Sequence, residues 1–321
     1  MKLKSGGAMG EIHDLLEEKG KLAVRQLVEG RRGGRLVETA AAYSSDEALG
    51  VGFAYSGWCQ TGLPHRRLAD DSEIWQLQTD SMSLLVEPGA IIDDEGKTKH
   101  VGVPYGALAR LILIYLQSEA LRTGSRDVDL GGSLRGFLKR LDLAPGGRTN
   151  GAVREQAERI SRCRLSFHAK RHGAKLIVNQ NIVDIAMFVD KSDSRQARLF
   201  NDTARLGEAF FNELKQHAVP LDEAAIRHIK NSSMSLDIYC WLAYRLHSLT
   251  QERLITWPAL NGQFGSGVKL LKHFKAQFNE NLKMAMAVYP DANIEVSPVG
   301  VLLKPSAPPV RKTFRKQTSI E

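Results

Sequence analysis

The stretch GSLRGFLKRLDLAPGGRTNGAVREQAERISRCRLSFHAKRHGAKL, residues 132–176, decides the fold. Leu134, Phe137, Leu138 and Leu141 recur at i, i+3, i+4 and i+7 behind Ser133, a residue type that caps helix N-termini. Leu143 to Gly147 reads as a turn. A second helix from Arg148 to Arg162 buries Val153, Ala157 and Ile160. Cys163–Ala169 and Lys175–Val178 then read as a hairpin with Lys170-Arg171-His172-Gly173 at its tip. Helix, helix, two-stranded wing is the order of a winged helix-turn-helix. The stretch holds eleven Lys or Arg against three acids, a surplus equal to the +8 of all 321 residues. A positive field concentrated on a helical reading element is the footprint of a nucleic-acid binder.

Toward the C-terminus the same order recurs. Asp190–Arg205 reads as a polar connector and Glu208–Leu214 as a strand. Asp222–Lys230 and Ser235–Leu249 follow as helices. Ile255–Leu260 makes a short strand and a turn of helix, and Val268–Val288 a long helix. Asn293–Val296 and Val301–Lys304 close as a second hairpin. Ala307–Glu321 is Pro-rich and basic, a composition of disordered tails. Toward the N-terminus, Val128–Leu130 reads as a strand. Pro104 opens a helix through Leu121, which Gly124 stops. Trp75–Val86 reads as a strand ended by Pro88-Gly89, and Asp93–Lys99 as a polar turn. A helix from Ile12 to Val28 is broken by Gly20. Arg31-Arg32-Gly33-Gly34-Arg35 reads as a loop and Thr39–Gly52 as a short helix.

The expected fold class is α+β: two winged helix-turn-helix domains, mainly helical, with short β-hairpin wings. The expected organisation is a variable helical segment (1–50), a first winged-helix module (51–190), a linker (191–206), a second, DNA-binding module (207–306) and a basic tail (307–321). The 43% apolar and 25% charged content is that of a soluble globular protein. An isoelectric point near 9.4 favours anionic partners. Cys59, Cys163 and Cys240 lack metal-type spacing and read as buried thiols in a reducing cytoplasm. The apolar run Leu111–Leu116 is far shorter than the ~20 residues that span a bilayer. No apolar segment follows the N-terminal lysines, so no signal peptide and no membrane partner are expected.

Two helices carry the candidate DNA contacts. On the first, Arg148, Arg159 and Arg162 lie opposite Val153 and Ile160, with Arg154 at the flank. Arginine forks match phosphate oxygens and guanine O6/N7. Glu155 and Glu158 share this face, and pairing with Arg159 and Arg162 at helical spacing is the competing reading. Lys170 and Arg171 at the hairpin tip would reach an adjacent groove or backbone. On the second helix Leu271, Phe274, Phe278 and Leu282 form the core stripe. Lys269, Lys272, His273 and Lys283 face away, Lys275 lies at the edge, and Asn279 could read adenine.

Signals for enzyme chemistry are weak. Gly96-Lys97-Thr98 resembles the end of a phosphate loop, but Ile91 stands where its leading glycine belongs, and Asp93, Asp94 and Glu95 would repel a triphosphate. Gly50-Val51-Gly52 lacks the third glycine of a dinucleotide loop, at Tyr55. His168 and His172 fall on a hairpin without an acidic or Cys partner, which disfavours zinc. No His-x-His occurs to hold a nicking metal beside a tyrosine. No catalytic residue, cofactor or metal is expected.

Several strings resemble the plasmid-encoded RepA family of replication initiators. They are Gly52-Phe53-Ala54-Tyr55-Ser56-Gly57-Trp58, Leu63-Pro64-His65-Arg66-Arg67, Val86-Glu87-Pro88-Gly89 and Gly102-Val103-Pro104-Tyr105-Gly106. Next come Ala109-Arg110-Leu111-Ile112-Leu113-Ile114-Tyr115-Leu116-Gln117, Arg122-Thr123-Gly124-Ser125-Arg126 and Val153-Arg154-Glu155-Gln156-Ala157. Trp257-Pro258-Ala259-Leu260, Phe264-Gly265 and Tyr289-Pro290 complete the set. The resemblance covers roughly residues 50 to 306. It implies a cytoplasmic initiator that binds iteron repeats in double-stranded plasmid origin DNA, helps open the duplex and recruits the host initiator and replicative helicase. A homodimer through the N-proximal module is a further expectation, motivated by the apolar surface of Leu111–Leu116 and Trp75–Val86. The alternatives are a winged-helix transcriptional repressor and a nicking or ATP-dependent initiator enzyme.

Overall fold

The computed structural model describes residues 11–28, 30–171, 174–183 and 203–310, with the backbone alone at 11, 170–171 and 174–181. The chain opens with helices α1 (Glu11–Leu27) and α2 (Gly30–Ser44). Gly20 breaks α1 as expected, at φ 74° and ψ 160°. Residues 31–35 are helix rather than loop. Gly33 lets α2 turn tightly off the connection from α1, since a Cβ there would stand 2.9 Å from that of Val28. The helix read over 39–52 ends at Ser44 instead, and the chain continues into strand β1 (Val51–Tyr55) and the short helix α3 (Ser56–Gln60).

The strand expected over 75–86 is a hairpin, β2 (Trp75–Gln78) and β3 (Met82–Glu87), because Thr79–Ser81 turns the chain. A second hairpin follows, β4 (Gly89–Ile92) and β5 (Thr98–Gly102), with the polar turn at its tip. Helix α4 (Gly106–Thr123) ends on Gly124 at φ 67°, a conformation glycine adopts without strain. Then come β6 (Asp127–Asp129), α5 (Leu134–Arg140), α6 (Gly147–Arg162), β7 (Arg164–Arg171) and β8 (Ala174–Asn181). Ser133 caps α5 by accepting from the Gly136 amide at 3.0 Å. Strands β2, β3, β7 and β8 form one antiparallel sheet in that order.

Within the expected linker, Thr203–Arg205 is a strand, β9, paired with β6. Residues 208–214 are helical, not extended. Phe210, Phe211 and Leu214 fall on one buried face of α7 (Glu208–Gln216). Strand β10 (Ala218–Asp222) leads into α8 (Glu223–Ile229) and α9 (Ser233–Arg245), capped by the side chains of Asp222 and Ser232. A 3-10 turn (Leu246–Ser248) precedes β11 (Arg253–Thr256) and α10 (Trp257–Phe264). The long helix α11 (Leu271–Met286) begins three residues later than expected. Strands β12 (Ile294–Val296) and β13 (Gly300–Leu303) form, with β11, a sheet ordered β11-β13-β12.

The architecture is therefore mixed helix and sheet, of the α+β class. The halves on either side of the expected linker share one core. β1 pairs antiparallel with β10 from Val51↔Asp222 to Tyr55↔Ala218, and α4 and α9 pack at the centre of one buried cluster. Leu111, Ile112, Leu113 and Leu116 are buried inside it. Of the apolar surface that suggested a dimer, this run is consumed within the chain, while Trp75 and Leu85 stay half-buried. The three cysteines are buried and unpaired. In the expected tail, Ala307 is held, its carbonyl accepting from the Tyr289 hydroxyl at 2.5 Å; residues 311–321 lie outside the described residues. No described helix is long and apolar enough to cross a membrane.

Candidate nucleic-acid interface

Helix α6 is aimed by its N-terminal turn. Asp142 takes φ 52°, a left-handed conformation that a short polar side chain tolerates. The Lys230 ammonium, at the end of α8, pairs with the Asp142 carboxylate and grips this turn. Val153, Ala157 and Ile160 bury the inner face. On the outer face Arg148 and Arg154 are exposed. Arg162 is exposed too, with Glu158 3.2 Å away. An ion pair this open contributes little and yields readily to a phosphate.

Arg159 must be withdrawn as a DNA contact. Its side chain is only 4% exposed, and Nη2 lies 3.0 Å from Glu155 and 3.1 Å from Asp71. Nη1 donates to the Val103 carbonyl at 3.2 Å, and the guanidinium stacks over the Tyr105 ring at 5.2 Å. Gly102, at φ 77°, leaves room for it: a Cβ there would collide with the guanidinium. Arg67 completes the network on Asp71. The bonds from Arg67 and Arg159 hold the Asp71 carboxyl below its ordinary value, Arg67 foremost. Lys170 and Arg171 sit on the β7 backbone, while their side chains and the hairpin tip at 172–173 lie outside the described residues.

Helix α11 buries Phe274, Phe278 and Leu282, but Leu271 is 38% exposed and leaves the expected core stripe. Lys269 precedes the helix, in the turn that follows Gly267. It is exposed, as are Lys272 and His273 on the first helical turn. Lys283 is half-buried. Lys275 folds back instead of facing outward. Its Nζ donates to the Pro298 carbonyl at 3.3 Å and lies 5.2 Å from the Trp257 ring centre. It therefore pins the β12–β13 turn against α10. Asn279 does not project as an adenine reader, because its Oδ1 is buried without a hydrogen-bond partner among the described residues.

Sequence reading missed two features. The cations Arg31, Arg32 and Arg35 lie exposed on α2, and Arg32 pairs with Glu280 on α11. The RRGGR run was the available signal. The second is a buried latch. Arg110 on α4 donates to both oxygens of Asp237 on α9, at 2.5 and 2.6 Å, and to the Leu63 and Gly106 carbonyls at 2.7 and 2.8 Å. His65 bonds the Ser233 hydroxyl at 3.0 Å and the Phe264 carbonyl at 3.2 Å. Burial, then the Arg110 charge, pushes its pKa down to about 4. A neutral imidazole and a satisfied guanidinium thus fix α4, the helix on which α6 rests, against α9, on which α11 rests. No group of residues suited to a metal ion occurs among the described residues.

The family model described as "Plasmid encoded RepA protein" matches residues 103–258, from the Arg159-binding loop to the start of α10. No curated protein matches. Among solved structures, one of domains 2 and 3 of RctB is similar with a TM-score of 0.49 and 10% identity, covering 78% of this chain and 97% of that one. A second RctB structure of the same domains gives 0.44 and 9%, over 76% and 93%.

Proposed function

We propose that the chain, whose residues 103–258 match the model of the plasmid-encoded RepA family, is a replication initiator that binds repeated sites in double-stranded origin DNA. One observation carries the reading: α6 and α11 each present exposed cations, and each is followed by an antiparallel hairpin. Supporting a winged helix in the second half is the order α9, β11, α10, α11, β12, β13, with the first strand pairing the last. The first half repeats it as α4, β6, α5, α6, β7, β8, although there β6 pairs with β9. Arg148, Arg154, Arg162, Lys269 and Lys272 anchor phosphates or read bases, while Arg159 and Lys275 hold the scaffold. The protein acts by binding, opening the duplex and recruiting the host initiator and helicase, without catalysis of its own.

Fluorescence anisotropy tests the reading with the direct repeats of a cognate origin against a scrambled duplex of equal length. Tighter binding to the repeats at physiological salt, by roughly 10³-fold or more, is the expected result. Equal affinity for both duplexes overturns repeat recognition. Nicked circles or released phosphate, on incubation with supercoiled origin DNA, Mg²⁺ and ATP, overturn the non-catalytic part.

A further inference from the structure

A polar cleft of about 250 Å³ opens where the two halves of the chain meet. One wall is the β2–β3 turn, with Asp80 and Ser81. The other is built from α9, β11 and α10, with Arg245, Arg253 and Gln263. Two of the nitrogens are buried donors. Arg245 Nε and Gln263 Nε2 have no hydrogen-bond partner among the described residues. A buried donor without an acceptor destabilises the fold, the more so on a charged group, so two beside one cleft call for an explanation.

Two guanidinium groups stand against one carboxylate around it. Burial first, and then the neighbouring Arg253 charge, lowers the Arg245 pKa from its ordinary value. A guanidinium beside a second one gains from an anion placed between them. Asp80 is the lone carboxylate along the walls, and neither arginine forms an ion pair with a carboxylate among the described residues. The forked donors of arginine match a phosphate oxygen pair. An amide N–H beside them adds a neutral donor and no repulsion.

We propose that this cleft is a phosphate-binding site, with Arg245 and Gln263 as its buried donors and Arg253 as the arginine at its mouth. The phosphate is carried either by the DNA backbone or by a free small anion. The backbone source rests on the DNA reading above, because α10 directly precedes α11; the free-anion source does not.

The test uses the full chain, titrated with pyrophosphate by calorimetry at low salt, and with repeat DNA by anisotropy across a salt series. Arg245→Gln removes a buried donor; Arg253→Gln and Asp80→Asn change exposed residues and leave the core intact. Saturable pyrophosphate binding, weakened about tenfold by R253Q and strengthened by D80N, supports the site. If the backbone is the source, R253Q also lowers the log–log salt slope for DNA by ~0.9. If a free anion is the source, that slope stays put. Wild type that binds repeat DNA while R253Q and D80N alter neither titration overturns the cleft and leaves the DNA reading standing. Arg253-dependent pyrophosphate binding without DNA binding does the reverse. Binding of neither probe by the wild type overturns both.

Discussion

Arg159 and Arg162 lie three residues apart on one helix and do different work. Arg162 meets solvent, while Arg159 lies under Tyr105 between Asp71 and Glu155. Removing Arg159 leaves two carboxylates and the Val103 carbonyl short of a donor. Arg159→Ala should therefore cost about 2–3 kcal/mol of unfolding free energy, read as a lower urea midpoint, with the DNA salt slope unchanged. Arg159→Lys should not restore the loss, because an ammonium cannot fork between Asp71 and Glu155 while stacking on a ring. A wild-type midpoint in Arg159→Ala would put this residue back at the surface. His65 gives a pH prediction. Its folded pKa of about 4 lies below the ordinary 6.5, so the unfolded chain binds the extra proton between those values. Stability is complete above pH 6.5 and falls as pH drops toward 4, by at most about 1.4 kcal/mol per pH unit for one proton. Urea midpoints measured from pH 7 to 5 should show the decline, and His65→Gln should flatten it. An equal slope in wild type and variant would contradict this assignment.

Among the elements, α4 and α9 set the geometry of everything else. Both are buried on most of their faces, and the Arg110–Asp237 bond joins them at a point where neither partner meets much water. Asp237→Ala strands a buried guanidinium and should cost roughly 3–5 kcal/mol. A drop of under 1 kcal/mol in the same urea assay would mean that apolar packing alone holds the helices. Elements with strong local signals were legible. Ser133 announced α5 and Gly124 ended α4. The missed elements had signals that pointed elsewhere. Gly33 and Gly34 read as a loop, yet both lie in α2, where a Cβ would crowd Val28 and the Arg25 guanidinium. Phe210-Phe211 read as a strand because adjacent apolar residues fit either period; Leu214 at i+4 from Phe210 settles it as a helix. Exchange between β1 and β10, more than 160 residues apart, leaves no trace in local pattern.

At the scale of the whole molecule, charge was legible and charge pairing was not. The surplus of 132–176 falls on the stretch that holds α6. Which of its arginines faces outward depends on Asp71, 88 residues away in sequence, and on a glycine at 102 that leaves space. The same limit applied to Lys275, whose acceptor Pro298 lies on a later turn. The exposed set that remains, Arg148, Arg154, Arg162, Lys269, Lys272 and His273, lies on α6 and on α11 with the residues just before it, two elements held by one core. A duplex engaging both should therefore bind more tightly than one carrying a single half-site. Anisotropy with full and half-length repeats measures that difference, and equal affinities would mean that only one helix engages DNA.

The most direct measurement is the salt dependence of repeat-DNA affinity for wild type and for the triple variant Arg148→Ala, Arg154→Ala, Lys272→Ala, with urea midpoints recorded alongside. If the outward cations of α6 and α11 neutralise phosphates, the log–log slope falls by about 2.7, three contacts at ~0.9 each, while the midpoint stays within about 0.5 kcal/mol of wild type. An unchanged slope and unchanged affinity in a folded triple variant would contradict the claim that these two helices face the DNA.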